Sequence, residues 1–268
     1  MNENIVEVGP KLYLNGFPKS GTHLLDSMAV NVMAQANPED NWMGNVDNSG
    51  FGTQVIHLDT FPKMLEEMPM HRYVKGHLAW DKNIAQSFID NHWCHVFIFR
   101  DFRDVAVSMA YHAQKDKEGT NFPKKEKYEE MEYGEVLKRI IAGDENISGV
   151  MDRWEIYAPW LNENYALRID YGYIVKNKVM ACELFLDYLV GQTGKYLGIT
   201  VDIDDESFNK LMHRMMYRLE RPERSPTYRN GKTGDWKEHF TNEHKRLFKE
   251  SDKNNWLTRL GYTNDRNW

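Results

Sequence analysis

The sequence predicts an α/β fold in which a P-loop-type, mainly parallel central β-sheet is flanked by helices within a single domain. Three observations predict it. Short apolar runs at Lys11–Leu14, His71–Val74, His95–Phe99 and Ala166–Ile169 have the length and composition of strands. Long segments with apolar residues at helical spacing separate them, and this alternation is that of βαβ units. A Gly/Pro/Ser turn joins the first run to the first helix, which aims backbone N–H groups and a helix N-terminus at one point.

The elements follow in order. Leu12–Leu14 reads as a strand, Asn15–Ser20 as the turn, and about Gly21 to Gln35 as a helix. A loop excursion rich in Asn, Gly and Asp follows at about 37–53, carrying Trp42, Met43 and Phe51. The strand at His71–Val74 leads into Lys75-Gly76-His77-Leu78. The strand at His95–Phe99 leads into Arg100 and a helix that carries Asp104 and Ser108. A second excursion, at about 115–135, is charged and broken by Gly119 and Pro123. After the strand at Ala166–Ile169, Met180–Leu189 and Phe208–Met216 repeat apolar residues at helical spacing. A third excursion, at about 221–234, holds Pro222, Pro226, Gly231 and Gly234 among arginines and lysines. Loops at the carboxyl ends of parallel strands build the ligand crevice, so the first two excursions are candidates for acceptor contacts as well as for solvated loops.

Composition sets bounds. At 268 residues, with 41% hydrophobic and 28% charged residues, the chain buries a sizeable core and fits one domain. A net charge of −6 argues against a general nucleic-acid or anionic-membrane binder, so an anionic ligand requires a local basic cluster. Cys94 and Cys182 form neither a metal-ligand spacing nor a disulfide framework and read as buried thiols. No apolar run approaches the roughly 18 residues that span a bilayer. Met1-Asn2-Glu3-Asn4 lacks the basic start of a signal peptide, which makes the cytoplasm the default.

Four segments carry chemistry. Gly16 and Gly21 have the spacing of the nucleotide-triphosphate loop, but Thr22-His23 stands where that loop has lysine and serine or threonine. The lysine, Lys19, lies inside the turn. This predicts a phosphate-like ligand without the usual Mg-ATP arrangement; an ordinary strand-turn-helix corner is the other reading. Arg100, just past a strand end, has the rigid fork that grips a phosphate, and Ser108 follows on the helix that Asp104 caps. Pairing of Arg100 and Arg103 with Asp101 and Asp104 is the alternative there. His77, two residues after Lys75 and at a strand end, has the position of a general base, although a lone histidine is more often structural. Ser225 to Lys237 places glycines beside basic residues, as in a loop that closes on an anion.

Taken together, the four segments resemble the cytosolic-type sulfotransferase family. Pro18-Lys19-Ser20-Gly21-Thr22 is similar to its 5′-phosphosulfate loop, and Lys75-Gly76-His77-Leu78 to its lysine-x-histidine base motif. Arg100 through Ser108 resembles its 3′-phosphate segment. Arg229-Asn230-Gly231-Lys232-Thr233-Gly234-Asp235-Trp236-Lys237 matches its late R-x-G-x-x-G-D-W-K signature. The matches occur in the family's order across residues 13 to 241. The resemblance implies 3′-phosphoadenosine 5′-phosphosulfate (PAPS) as donor and sulfuryl transfer to a hydroxyl or amine of a small-molecule or glycan acceptor. It implies His77 as general base, Lys19 as stabiliser of the leaving phosphate oxygen and Lys75 as a second electrostatic candidate. It assigns donor binding to Lys19, Ser20, Gly21, Thr22 and His23 at one end. Arg100, Ser108, Arg229 and the amides of Asn230 and Gly231 take the other. A sulfuryl group carries less charge than a phosphoryl group, so the implied chemistry needs no metal.

The chain also departs from the family pattern. Leu24 stands where a tryptophan often stacks on adenine, His23 replaces a second threonine, and Asn230 a common lysine. Ile169, within Arg168-Ile169-Asp170-Tyr171, occupies the position of an adenine-site tyrosine. Of the late dimer motif, Lys237 and Thr241 survive, with Asn242 and Arg246 in place of valine and glutamate, which leaves the oligomeric state open. A small-molecule P-loop kinase is the runner-up, opposed by Thr22-His23; a nucleotide binder without catalysis is the third reading, opposed by Lys19 and His77. For the acceptor, Trp42, Phe51, Trp80, Tyr111, His112 and Phe122 read either as a pocket lining or as packing. Lys115, Lys117, Lys124 and Lys125 are interleaved with Asp116, Glu118 and Glu126, the pattern of a solvated face.

Overall fold

Parallel strands and the helices between them account for most of the chain in a computed structural model that describes residues 2–5, 9–33, 42–47, 60–115, 127–224 and 231–268. In chain order, the first elements are β1 (Asn2–Asn4), β2 (Lys11–Gly16), α1 (Thr22–Met33), β3 (Trp42–Asp47), α2 (Phe61–Glu67) and β4 (Tyr73–His77). Next come α3 (Lys82–Asp90), β5 (Trp93–Phe99), α4 (Phe102–Lys115), α5 (Tyr133–Ala142), α6 (Val150–Glu155) and β6 (Leu167–Asp170). The rest are α7 (Tyr171–Lys176), α8 (Lys178–Leu197), β7 (Thr200–Asp202), α9 (Asp205–Leu219), α10 (Trp236–His239), α11 (Asn242–Ser251) and α12 (Trp256–Arg259). They fall into two compact units, Met1–Phe99 with Pro159–Gly231, and Arg100–Ala158 with Lys232–Trp268.

The first unit is built on a five-stranded sheet of order β3-β4-β2-β5-β6, parallel throughout. Because β2 lies between β4 and β5, the strand order reverses beside it, and its carboxyl end is the switch point where open α/β sheets hold ligands. The two faces of β2 and β5 follow from the period-2 alternation of side chains. Leu12, Leu14, Cys94, Val96 and Ile98 face one way and pack with Leu25, Met28 and Ala29 of α1, Phe185 and Leu189 of α8, and Leu211 and Met215 of α9. In α1 the buried positions Leu25, Met28, Ala29 and Val32 repeat at i, i+3, i+4 and i+7, the stripe of a core-facing helix. Tyr13 and His95 face the other way, into rings of Phe61, Phe88 and Trp160. Six of the seven β5 residues are buried, as expected for a central parallel strand covered on both faces. A separate parallel pair joins β1 to β7.

The second unit is helical among the described residues. Its core includes Phe102 against Trp154 at 4.5 Å between ring centroids, and Trp154 against Trp256 at 5.7 Å. His244 in the first turn of α11 accepts from the Thr241 backbone N–H, and the Thr241 hydroxyl caps the helix in return. Thr241, expected from the dimer motif, therefore has a local structural task.

Several expectations change. The excursion at about 37–53 contains the sheet's edge strand β3; its other residues, Phe51 among them, lie outside the described residues. The expected strand at His71–Val74 starts two residues later and ends on His77, so the histidine closes the strand instead of following it. The first helix ends at Met33 within the described residues, whereas Gln35 falls outside them. Cys94 and Cys182 are buried free thiols, and burial pushes both thiols up to about 12. Among the described residues, no helix is long and apolar enough to cross a membrane.

Candidate active site

The loop after β2 is tightly built. The Phe17 N–H bonds back to Ile98 O at 3.0 Å, and Ser20 N–H to Phe17 O at 3.0 Å, which closes the turn. Lys19 occupies the left-handed region with φ 67, a conformation that a non-glycine residue holds only where its surroundings impose it. Gly21 has φ 101, and a Cβ there would meet the Tyr171 ring at 2.6 Å, so both backbone and space require glycine. A Cβ on Gly16 would lie 2.6 Å from Thr22 Oγ1 and 2.8 Å from Ile98 Cγ2. Ser20 and Thr22 carry buried hydroxyls with no partner among the described residues. A buried hydroxyl without a partner costs about 1–3 kcal/mol, and an anion at the head of α1 would satisfy both. These residues thus fit a sulfate or phosphate ester. His23, beside them on α1, is held down to about 4 by burial, with Lys75 next in effect, so it stays neutral at ordinary pH. It therefore adds no charge to the loop.

The carboxyl end of β4 meets this loop. The register Asn15↔Gly76 runs the two strands side by side up to the turn. His77 Nδ1 then lies 2.7 Å from Gly16 O. A carbonyl only accepts, so Nδ1 carries the proton and Nε2 the basic lone pair. Lys75, the expected second electrostatic group, is engaged elsewhere: its Nζ lies 2.7 Å from Asp26 Oδ2, on α1. The Tyr73 hydroxyl donates to Asp26 Oδ1 at 2.9 Å, and burial raises its pKa, with the Asp26 charge adding to the shift. Asp26 therefore ties the helix that starts at the loop to the strand that ends in His77.

In the second unit, Arg100 is buried, and its Nη2 donates to Lys232 O at 2.7 Å and faces Asp104 Oδ2 at 3.5 Å. Arg103 forms a two-pronged pair with Asp101, Nε–Oδ1 at 2.9 Å and Nη2–Oδ2 at 2.7 Å, and its guanidinium lies over Trp236 at 4.1 Å. Both arginines thus pair with acids, Arg103 with Asp101 and Arg100 with Asp104, and Arg100 is also tied to the segment holding the late signature. The expected cap also changes hands. Asp101 accepts the Arg103 N–H at the head of α4. Asp104 instead accepts the N–H groups of Gly234 at 2.8 Å and Trp236 at 3.0 Å, fixing the start of α10. Burial raises the Asp104 pKa, with Arg100 opposing it. Ser108 is half-buried on the same helix.

A family model for the sulfotransferase domain matches residues 10–257. The chain belongs to the sulfotransferase family. The matched span runs from just before β2 into α12 and takes in residues of both units. Sulfotransferase 1B1 of Mus musculus is 23% identical over 250 residues, covering 86% of this chain and 77% of that relative. Mouse sulfotransferase SULT7A1, solved in complex with PAP, has a TM-score of 0.61 at 20% identity, covering 94% of this chain and 87% of its own. Retinol dehydratase in complex with androsterone and inactive cofactor PAP has a TM-score of 0.55 at 15% identity, over 91% of this chain and 80% of its own. The same enzyme with retinol and PAP also gives 0.55 at 15%, over 93% and 84%. At these identities the solved structures attest a shared fold.

Within this sulfotransferase, Lys19, Ser20, Gly21, Thr22, His23 and His77 come together where the sequence places them, at the carboxyl ends of β2 and β4. Arg229 and Asn230 lie outside the described residues; Gly231 has φ 63. Of the acceptor candidates, Trp80 donates from Nε1 to Glu163 Oε1 at 2.7 Å, and Tyr111 packs on Tyr133 at 4.8 Å. Phe122 and the lysines 117, 124 and 125 lie outside the described residues, and only the backbone of Trp42 is described. Two residues of the site escape sequence reasoning. Asp26 carries no motif signal, because its partners are 47 and 49 residues away. Tyr171 reaches the loop only through the β6–α7 corner.

Proposed function

We propose that this sulfotransferase uses PAPS as donor and transfers its sulfuryl group to a hydroxyl or amine of a small-molecule or glycan acceptor, the chain acting as one domain. The observation that carries the reading is the 2.7 Å contact of His77 Nδ1 with the carbonyl of Gly16. The contact supports a base role, because a carbonyl only accepts, which puts a proton on Nδ1 and leaves Nε2 as the nitrogen that can take one. The donor supplies the sulfuryl group and the phosphate oxygen from which it leaves. His77 Nε2 takes the proton of the acceptor as the acceptor oxygen or nitrogen bonds to sulfur. The sulfur–oxygen bond to the phosphate breaks, and its electron pair stays on the phosphate oxygen. Lys19 stabilises the charge growing there, while the Ser20 and Thr22 hydroxyls and the head of α1 hold the phosphosulfate oxygens. A positioned base contributes about 10²–10⁴-fold and a preorganised charge stabiliser about 3 kcal/mol. Arg100, Ser108, Arg229 and the amides of Asn230 and Gly231 are assigned the 3′-phosphate. Lys75, paired with Asp26, serves to position β4.

The reading is supported by the relatives crystallised with PAP, which is what the donor becomes once the sulfuryl group has gone. One of them also binds androsterone or retinol, both small alcohols, which favours a small-molecule acceptor here. The test is calorimetry with adenosine 3′,5′-bisphosphate, followed by labelled-sulfate transfer to a panel of phenols, alcohols, amines and glycans. Binding of the bisphosphate without magnesium, and a labelled product, are expected. Tighter, magnesium-dependent binding of ATP would instead revive a kinase.

A further inference from the structure

We infer that Asn15 is a positioning residue for the base, extending the sheet by one side-chain rung so that His77 stays aligned while β2 turns away into the loop; this rests on the reading of His77 as base. Asn15 is fully buried on β2, directly before Gly16. Its partner is Leu78, directly after His77. Asn15 Oδ1 accepts the Leu78 N–H at 2.8 Å, and Asn15 Nδ2 donates to Leu78 O at 3.1 Å. A carboxamide has the same donor and acceptor as a peptide group, so this two-pronged pair reproduces the hydrogen bonding of a strand neighbour. The need for it is topological. The β2–β4 ladder ends at Asn15↔Gly76, because the backbone after Gly16 must turn to form the loop. Without a substitute partner, the chain at Leu78 would leave a buried N–H unpaired beside the base. Trp160 Nε1 adds a second donor to Leu78 O at 2.8 Å, fixing the same peptide from the side.

His77 is thereby held at two points. Its own ring bonds to Gly16 O, and the residue after it bonds to the side chain of the residue before Gly16. Both anchors lie within two consecutive residues of β2, so any shift of His77 along the strand breaks them together. The arrangement selects Nδ1–H and sets the direction of Nε2. Misplacing a catalytic group by about 1 Å lowers turnover on the order of 10²-fold, which makes such a brace matter to rate more than to donor affinity.

The test uses the full chain as Asn15→Leu, of similar size but without hydrogen bonds, and as Asn15→Asp, which keeps an acceptor for the Leu78 N–H. Nitrogen-15 spectra of labelled histidine read the His77 tautomer without any acceptor or turnover. The wild type is expected to show the Nδ1–H form alone, and Asn15→Leu a mixture of tautomers. In Asn15→Leu, kcat is expected to fall about ten- to a hundredfold with the donor KM within about threefold, and in Asn15→Asp about threefold to tenfold. Where the leucine variant does not fold, Asn15→Asp decides alone. A wild-type tautomer and wild-type kcat in the folded variants would overturn the inference. A His77→Ala enzyme that still turns over would overturn the base reading instead, leaving the tautomer result standing.

Discussion

His95 allows a prediction of acid stability with a worked magnitude. The side chain is fully buried on the face of β5 opposite α1, stacked on Phe88 at 4.8 Å and edge-on to Trp160 at 4.5 Å. Tyr13 and Tyr165 complete its ring neighbours at about 6 Å, and neither ring nitrogen has a partner among the described residues. Burial alone holds its pKa down to about 3, against 6.5 for an unfolded chain. Between these values the unfolded state binds a proton that the folded state refuses, so stability falls as pH falls. The full difference of about 3.5 units corresponds to about 5 kcal/mol; roughly 2 kcal/mol is lost by pH 5 and about 3 by pH 4. His95→Leu removes this dependence and also relieves the unpartnered nitrogens. Urea unfolding of both proteins at pH 7, 5 and 4 is the assay. The variant is expected to match or exceed the wild type at pH 7 and to lose about 2 kcal/mol less on going to pH 5. Equal losses in the two proteins would refute the reasoning.

Three further outcomes follow from the geometry. Gly21→Ala puts a Cβ 2.6 Å from the Tyr171 ring at a φ of 101 and is expected to weaken adenosine 3′,5′-bisphosphate binding at least about tenfold by calorimetry; unchanged affinity would contradict the loop geometry. Asp26→Asn and Lys75→Met, singly and together, are expected to show a coupling of about 1–2 kcal/mol in urea unfolding, because the pair is only partly exposed; additivity within about 0.3 kcal/mol would sever the proposed tie between α1 and β4. Asp104→Ala strips the acceptor from the Gly234 and Trp236 N–H groups and is expected to destabilise by about 2–4 kcal/mol, whereas a change below about 0.5 kcal/mol would deny that Asp104 fixes α10.

What could be read from the sequence and what could not divides along a physical line. The strands, the loop and the order of the motifs were readable because each is local: short apolar runs at β2 and β5, glycine spacing, and a histidine two residues after a lysine. The edge strand β3 was not, since Asn, Gly and Asp weaken strand propensity and only pairing with β4 makes it a strand. Asp104 looked like the cap of its own helix because local spacing allows it. Its true partners, Gly234 and Trp236, lie 130 and 132 residues away. Lys75 read as a second electrostatic group of the site for the same reason, its counter-ion Asp26 being 49 residues distant. Buried polar pairs across a fold leave no periodic trace, so Asn15, which reads as an ordinary turn residue beside a glycine, gave no hint of its bond to Leu78.

The proposed function rests on His77 as the base of a sulfuryl transfer at the Gly16–Thr22 loop. The most direct measurement is single-turnover transfer of labelled sulfate by wild type and His77→Ala, with bisphosphate affinity measured on the same preparations. His77→Ala is expected to bind the bisphosphate within about threefold of wild type and to transfer at least about 10²-fold more slowly. Transfer within threefold of wild type, at equal affinity, would contradict it.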